Sequence, residues 1–66
     1  MKAQVLKGRI VGEGLTQDEV AKMIGVDRST FYRKMASGRF LIGEAGKIKE
    51  ILHLDDHDAN SIFFTD

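Results

Sequence analysis

The chain has no cysteine and no proline, and its ten lysines and arginines are balanced by ten aspartates and glutamates. Without cysteine there is no disulfide to staple the fold, and two histidines are too few to build a structural zinc site alone. The same absence fits a reducing compartment, and the opening residues MKAQVLKGRIVGEG lack the apolar stretch of a secretion signal, so a cytoplasmic location is expected. No run approaches the roughly 20 apolar residues that span a bilayer, and nothing reads as a linker or low-complexity tail. What is present is a 66-residue chain, one domain over 1–66, short enough to bury only roughly 60% of its unfolded surface. Short packed helices are the economical answer, and a compact all-α bundle of about five is the expected fold class.

Neutrality in the sum conceals segregation along the chain. Arg28, Arg33, Lys34, Arg39, Lys47 and Lys49 face Glu44 alone between positions 28 and 49. From Glu50 onward there are five acidic side chains and no lysine or arginine. The first block suits polyanions and the second repels them, so the distribution weighs more than the zero total.

Ala3, Leu6 and Ile10 fall at helical spacing and predict a first helix over about 2–11, ending at Gly12 and Gly14. Thr16-Gln-Asp-Glu19 is a capping box, with Leu15 and Val20 as the matching hydrophobic staple. The helix it opens keeps Val20, Ala21 and Ile24 on one side and stops at Gly25. Asp27 then caps a third helix, about 28–36, with Val26 stapled against Phe31, Met35 completing its inward stripe and Ser37-Gly38 closing it. Ala45, Ile48, Ile51 and Leu52 predict a fourth helix over about 43–52 with no evident cap, each of Gly43 and Gly46 costing about 1 kcal/mol relative to alanine. A fifth follows Asp55 and runs through Ile62 to Phe64, a short terminal strand over Ile62-Phe63-Phe64 being the alternative.

Two short helices joined by a tight glycine turn must cross steeply, with a small residue, Ala21, at the crossing. The third helix would then stand out from the surface as a rod suited to a major groove about 12 Å wide. At 100° per residue its free face gathers Arg28, Ser29, Tyr32, Arg33 and Ala36, flanked by Thr30 and Lys34. Arginine pairs with the guanine O6 and N7 edge and hydroxyls reach several bases, so Arg28, Ser29, Thr30, Tyr32 and Arg33 are the candidates for base readout. For Tyr32 a partly buried packing role stands beside the groove contact. Gln17, Lys34, Ser37 and Arg39 are candidates for phosphate contacts, and the Gln17 amide is also placed to brace Arg28. Adjacent residues on a helix point about 100° apart, so Ile62, Phe63 and Phe64 cannot all face one small core, and together they are a candidate dimer contact.

Leu15-Thr16-Gln17, Val20-Ala21, Ile24-Gly25-Val26 and Arg28-Ser29-Thr30-Phe31 resemble the lambda-repressor-like helix-turn-helix family of Cro and the phage repressors. Ser37-Gly38-Arg39-Phe40 is similar to that family's loop after the recognition helix, and Leu54-Asp55 through Phe64 to its last helix. The resemblance implies five helices and operator binding in double-stranded DNA, commonly as a dimer. With no effector domain in the sequence, it points to a small phage or prophage regulator of the Cro type. Leu41, where the family usually offers serine or threonine as a cap, and Gly43 and Gly46 are departures from the pattern.

Other chemistry finds little support. His53 and His57 lie four apart among Asp55, Asp56 and Asp58, but a break between them and the missing glutamate argue against a metal site. Gly12-Glu13-Gly14 lacks the third glycine and lysine of a phosphate loop. No nucleophile and base are arranged together, so neither catalysis nor a cofactor is expected. The rival from another class is a protein-interaction module of the antirepressor kind, docking on a second regulator through its third helix or acidic end.

Overall fold

Among the described residues, four of the five helices are closed at their carboxyl-terminal ends by one device, and this repetition sets the architecture. The computed structural model describes residues 1–65 and contains α1 (Ala3–Gly12), α2 (Gln17–Ile24), α3 (Arg28–Ser37), α4 (Ile42–Ile51) and α5 (Asp56–Phe63). At the ends of α1, α2, α3 and α4 one residue turns left-handed, and the amide after it returns to a carbonyl five residues earlier. The bonds run from Leu15 to Ile10, Val26 to Ala21, Arg39 to Lys34 and Leu54 to Lys49, at 3.0–3.2 Å. The turning residue is Gly14, Gly25 and Gly38 in the first three and, exceptionally, His53 at φ 55° in the fourth. This closure satisfies carbonyls that the helix itself leaves open.

Helix starts are equally local. The Thr16 hydroxyl accepts from the Glu19 amide at 3.1 Å while the Glu19 carboxylate accepts from the Thr16 amide at 2.9 Å. Asp27 takes the Thr30 amide and Asp55 the Asp58 amide, both at 2.7 Å. α4 starts at Ile42 without a side-chain cap at Leu41. Glu44 supplies the missing half, accepting the Leu41 amide at 2.8 Å, so the helix expected to lack a cap has one from its third residue.

Leu6, Ile10, Val20, Ala21, Ile24, Phe31, Met35, Ile48, Leu52, Leu54, Ala59 and Ile62 form a single core to which all five helices contribute. Each fully buried aliphatic or aromatic side chain there is worth about 1.5–3 kcal/mol relative to exposure. Phe31, Phe40 and Phe63 continue the core as an edge-on chain with ring centroids 5.4 and 6.1 Å apart. The Lys2 amide donates to the Ile62 carbonyl at 2.8 Å, which fastens the amino-terminal end of the chain to α5. Ile62 is therefore helical and buried, and no strand occurs among the described residues. No described helix is long and apolar enough to cross a membrane.

Candidate nucleic-acid interface

The unit from Thr16 to Gly38 is built from its two caps and a three-residue joint. Gly25, at φ 79°, makes the reversal that a side chain would strain, and Asp27 restarts the helix two residues later. The Asp27 carboxyl is held below its usual range, first by the Thr30 amide, then by the Thr30 and Ser29 hydroxyls and the Arg33 charge. Beneath the joint Val20, Ala21, Ile24 and Phe31 are buried, with Val26 packed against them. α3 has α2 as its main neighbour, so the side opposite Phe31 and Met35 is open.

That open side carries Arg28, Ser29, Tyr32, Arg33, Ala36 and Ser37, every one exposed. α3 is ten residues long, about 15 Å at 1.5 Å per residue. The Arg28 side chain is 72% exposed, and its Nε lies 3.5 Å from Asp18 Oδ1. Its Cζ sits 5.8 Å from the centre of the Tyr32 ring. The Tyr32 hydroxyl donates to the same Asp18 oxygen at 2.6 Å. Tyr32 thus has a fixed position on the open side, its hydroxyl held by α2 and its ring against Arg28. The Asp18 hydrogen bond is the chief reason that its phenol is pushed above its ordinary value of 10.0, and the Asp18 charge adds to it.

The structure divides the other predicted side chains. The Ser29 hydroxyl donates to Asp27 at 3.1 Å, and Thr30 is half-buried at the edge of the face. Arg33 and Arg39 make no ion pair among the described residues and project into solvent. The Ser37 hydroxyl contacts the Lys34 carbonyl at 3.4 Å and is also exposed.

Lys34 is not the open cation that its position on the helix suggests. Its ammonium lies 2.9 Å from Glu44, with the two side chains only 19% and 13% exposed. Glu44 is pushed up by burial, but Lys34 and the Leu41 amide outweigh this and leave its carboxyl below the ordinary value. Gln17 does not brace Arg28. Its Oε1 is buried without a hydrogen-bond partner, and the neighbouring Asp18 makes the contact instead. Sequence reasoning missed Asp18 because an acid in the first turn of a helix is already accounted for by the helix dipole.

Of the three residues named as a dimer contact, Ile62 is 1% exposed and belongs to the core, since the helical register turns it inward. Phe63 is half-buried against Phe40, and only Phe64, 62% exposed, reaches solvent freely. Phe63 and Phe64 border a shallow groove of about 170 Å³ between α4 and α5, lined also by Ile42, Ala45 and Gly46.

Asp55, His57 and Asp58 have potential ligand atoms within 4.8 Å of one another. Two of these side chains already have structural partners: Asp55 caps α5, and Asp58 binds Arg9 at 2.8 Å. The cluster therefore reads as a helix start with its ion pair.

Comparison with family models, curated proteins and solved structures finds no match to this chain.

Proposed function

We propose that the protein is a sequence-specific double-stranded DNA-binding regulator that inserts the open side of α3 into the major groove. The observation that carries this reading is an exposed row of Arg28, Tyr32 and Arg33 on a short helix anchored from beneath by Phe31 and Met35. A helix of this width enters the groove, and the donors along it match acceptors on base edges. Arg28 approaches Asp18 through Nε at 3.5 Å while its side chain stays 72% exposed, so its guanidinium is accessible for a paired contact with a guanine. Ser29, Thr30 and Arg33 serve neighbouring base pairs. Arg39 and Ser37, past the end of α3, serve the phosphates. Lys34 and Gln17 contribute less than their sequence positions suggest, the one neutralised by Glu44 and the other turned inward at its carbonyl oxygen.

The resemblance in residues 15–31 supports a repressor of the Cro type acting on a phage or prophage operator. Such a regulator acts as a homodimer on half-sites about one DNA turn apart. The exposed Phe64 and Ile42 beside the α4–α5 groove supply the apolar surface for that contact.

Selection of bound sites from random duplexes, followed by titration of the selected site across salt concentrations, tests the proposal. A defined site with two-fold symmetry and a log affinity that falls linearly with log salt is the expected result. Failure to enrich any sequence, or binding without a salt slope, refutes it. In that event the protein-interaction reading takes its place, favoured by the exposed Leu41, Ile42 and Phe64.

A further inference from the structure

A carboxylate on a surface meant for phosphates needs a reason, since each uncompensated negative charge there opposes the approach of DNA. Asp18 is such a carboxylate. It sits in the first turn of α2, its side chain 46% exposed, and leans across to α3. The helix dipole favours an acid at this position, but Glu19, one residue on, already serves the cap. The dipole does not explain why the Asp18 oxygen lies 2.6 Å from the Tyr32 hydroxyl and 3.5 Å from Arg28 Nε.

Arg28 and Tyr32 are four apart on α3 and so share its face, with the guanidinium carbon 5.8 Å from the ring centre. Three contacts thus close a triangle of carboxylate, phenol and guanidinium across the two helices. An arginine on a free helix surface explores many rotamers and loses them on binding; one held at its Nε and laid beside an aromatic ring has lost part of that freedom beforehand. The triangle also gives the carboxylate one donor, the Tyr32 hydroxyl, and the neighbouring charge of Arg28, and so reduces its repulsion of a polyanion.

Resting on the DNA-binding reading above, we propose that Asp18 is a positioning residue for base recognition, locking Arg28 and Tyr32 into one unit and thereby setting which base edge the arginine meets. Asp18 itself touches no base. Its removal lowers discrimination more than affinity, because the arginine keeps its charge but not its aim.

The test has two arms, of which the first needs no DNA. Tyr32 is the chain's single tyrosine, so the ultraviolet absorbance of tyrosinate reports on it alone. The wild-type titration should lie above the ordinary phenol value, and Asp18→Asn should bring it back toward that value. In the second arm, affinities of wild type, Asp18→Asn and Tyr32→Phe are measured on the selected duplex and on random duplex. Asp18→Asn should lower the ratio of the two by about tenfold, within the range of coupling between contacting residues. Its affinity for random duplex should hold or rise. In an Arg28→Ala background the same substitution should leave the ratio unchanged.

A merely structural aspartate would change both duplex affinities together and would not depend on Arg28. An ordinary wild-type phenol titration, or a ratio unchanged by Asp18→Asn while wild type still selects a site, overturns the role of Asp18 alone. A wild-type chain that enriches no duplex overturns the DNA reading, and the role of Asp18 with it.

Discussion

Charge is handled differently on two sides of this small surface. Between α1, α4 and α5 two cations meet carboxylates, Arg9 binding Asp58 at 2.8 Å and Lys49 binding Asp56, and the His53 ring lies 3.3 Å from Glu13. Along the open side of α3 and just beyond it, Arg33 and Arg39 meet none among the described residues, and Arg28 meets only Asp18. The zero net charge of the chain therefore does not mean that every cation is paired with a neighbouring carboxylate. Matched surface pairs contribute little, about 0–1 kcal/mol each, but they join helices distant in sequence. Arg33 and Arg39 make no ion pair or hydrogen bond through their side chains among the described residues, which leaves their guanidinium groups open to a partner.

The most forceful way to probe this division is to attack α3 from below. Phe31→Ala should cost about 3–5 kcal/mol, enough to leave a domain of this size largely unfolded by circular dichroism at ambient temperature. Arg33→Ala, on the same helix, should stay within about 0.5 kcal/mol of wild type. If both variants melt alike, the separation of an anchoring face from a free one is wrong.

Next in size are the binding effects. Arg28→Ala should cost about 1–3 kcal/mol on the selected duplex and relax preference at one base pair. Arg39→Ala should weaken selected and random duplex similarly and reduce the salt slope by about 1. Parallel losses for both arginines on both duplexes would erase the distinction between reading and positioning.

Acid tests the contact where the two sides meet. Glu44 and Asp27 both have folded-state pKa values below their ordinary values of 4.5 and 3.8. Each therefore lends stability that is complete above its ordinary value and is lost as pH falls through the lower, folded one. Stability should decline below about pH 4.5, and Glu44→Gln should flatten the upper part of that decline while costing about 1 kcal/mol at neutral pH. A Glu44→Gln melting profile with the wild-type acid dependence would show that the Lys34–Glu44 pair does not act this way. The smallest effect is expected on the matched side. Arg9→Ala should cost less than about 1 kcal/mol and leave duplex affinity unchanged, so a clear loss of affinity would place α1 in the interface.

The fold was legible where its determinants are local. Thr16 with Glu19, Asp27 before an apolar stripe, and Gly25 and Gly38 at helix ends all act over a few residues, and the structure has caps or closures at each. Glu44 belonged to the same grammar, since an acid three residues after Leu41 is half of a capping box; attention to Leu41, which has no polar side chain, hid it. The contacts that organise the candidate site span greater distances. Asp18 and Tyr32 are 14 residues apart, and Lys34 and Glu44 are ten apart. Whether such pairs meet depends on how helices cross, which periodicity does not specify. Ile62, Phe63 and Phe64 show the same limit. Helical geometry required them to diverge, but only the docked position of α5 decides that Ile62 is the one inside.

The four related helix closures differ in the residue that follows the left-handed turn: Leu15, Val26 and Leu54 pack inward, whereas Arg39 points outward. Its backbone is nonetheless bonded to the Lys34 carbonyl in the same way as the others are to theirs. The arginine thus combines a backbone held at the helix end with an exposed side chain. If the proposed DNA binding holds, such a group would follow a sugar-phosphate strand through small changes in twist from one site to the next, without disturbing the helix that it follows.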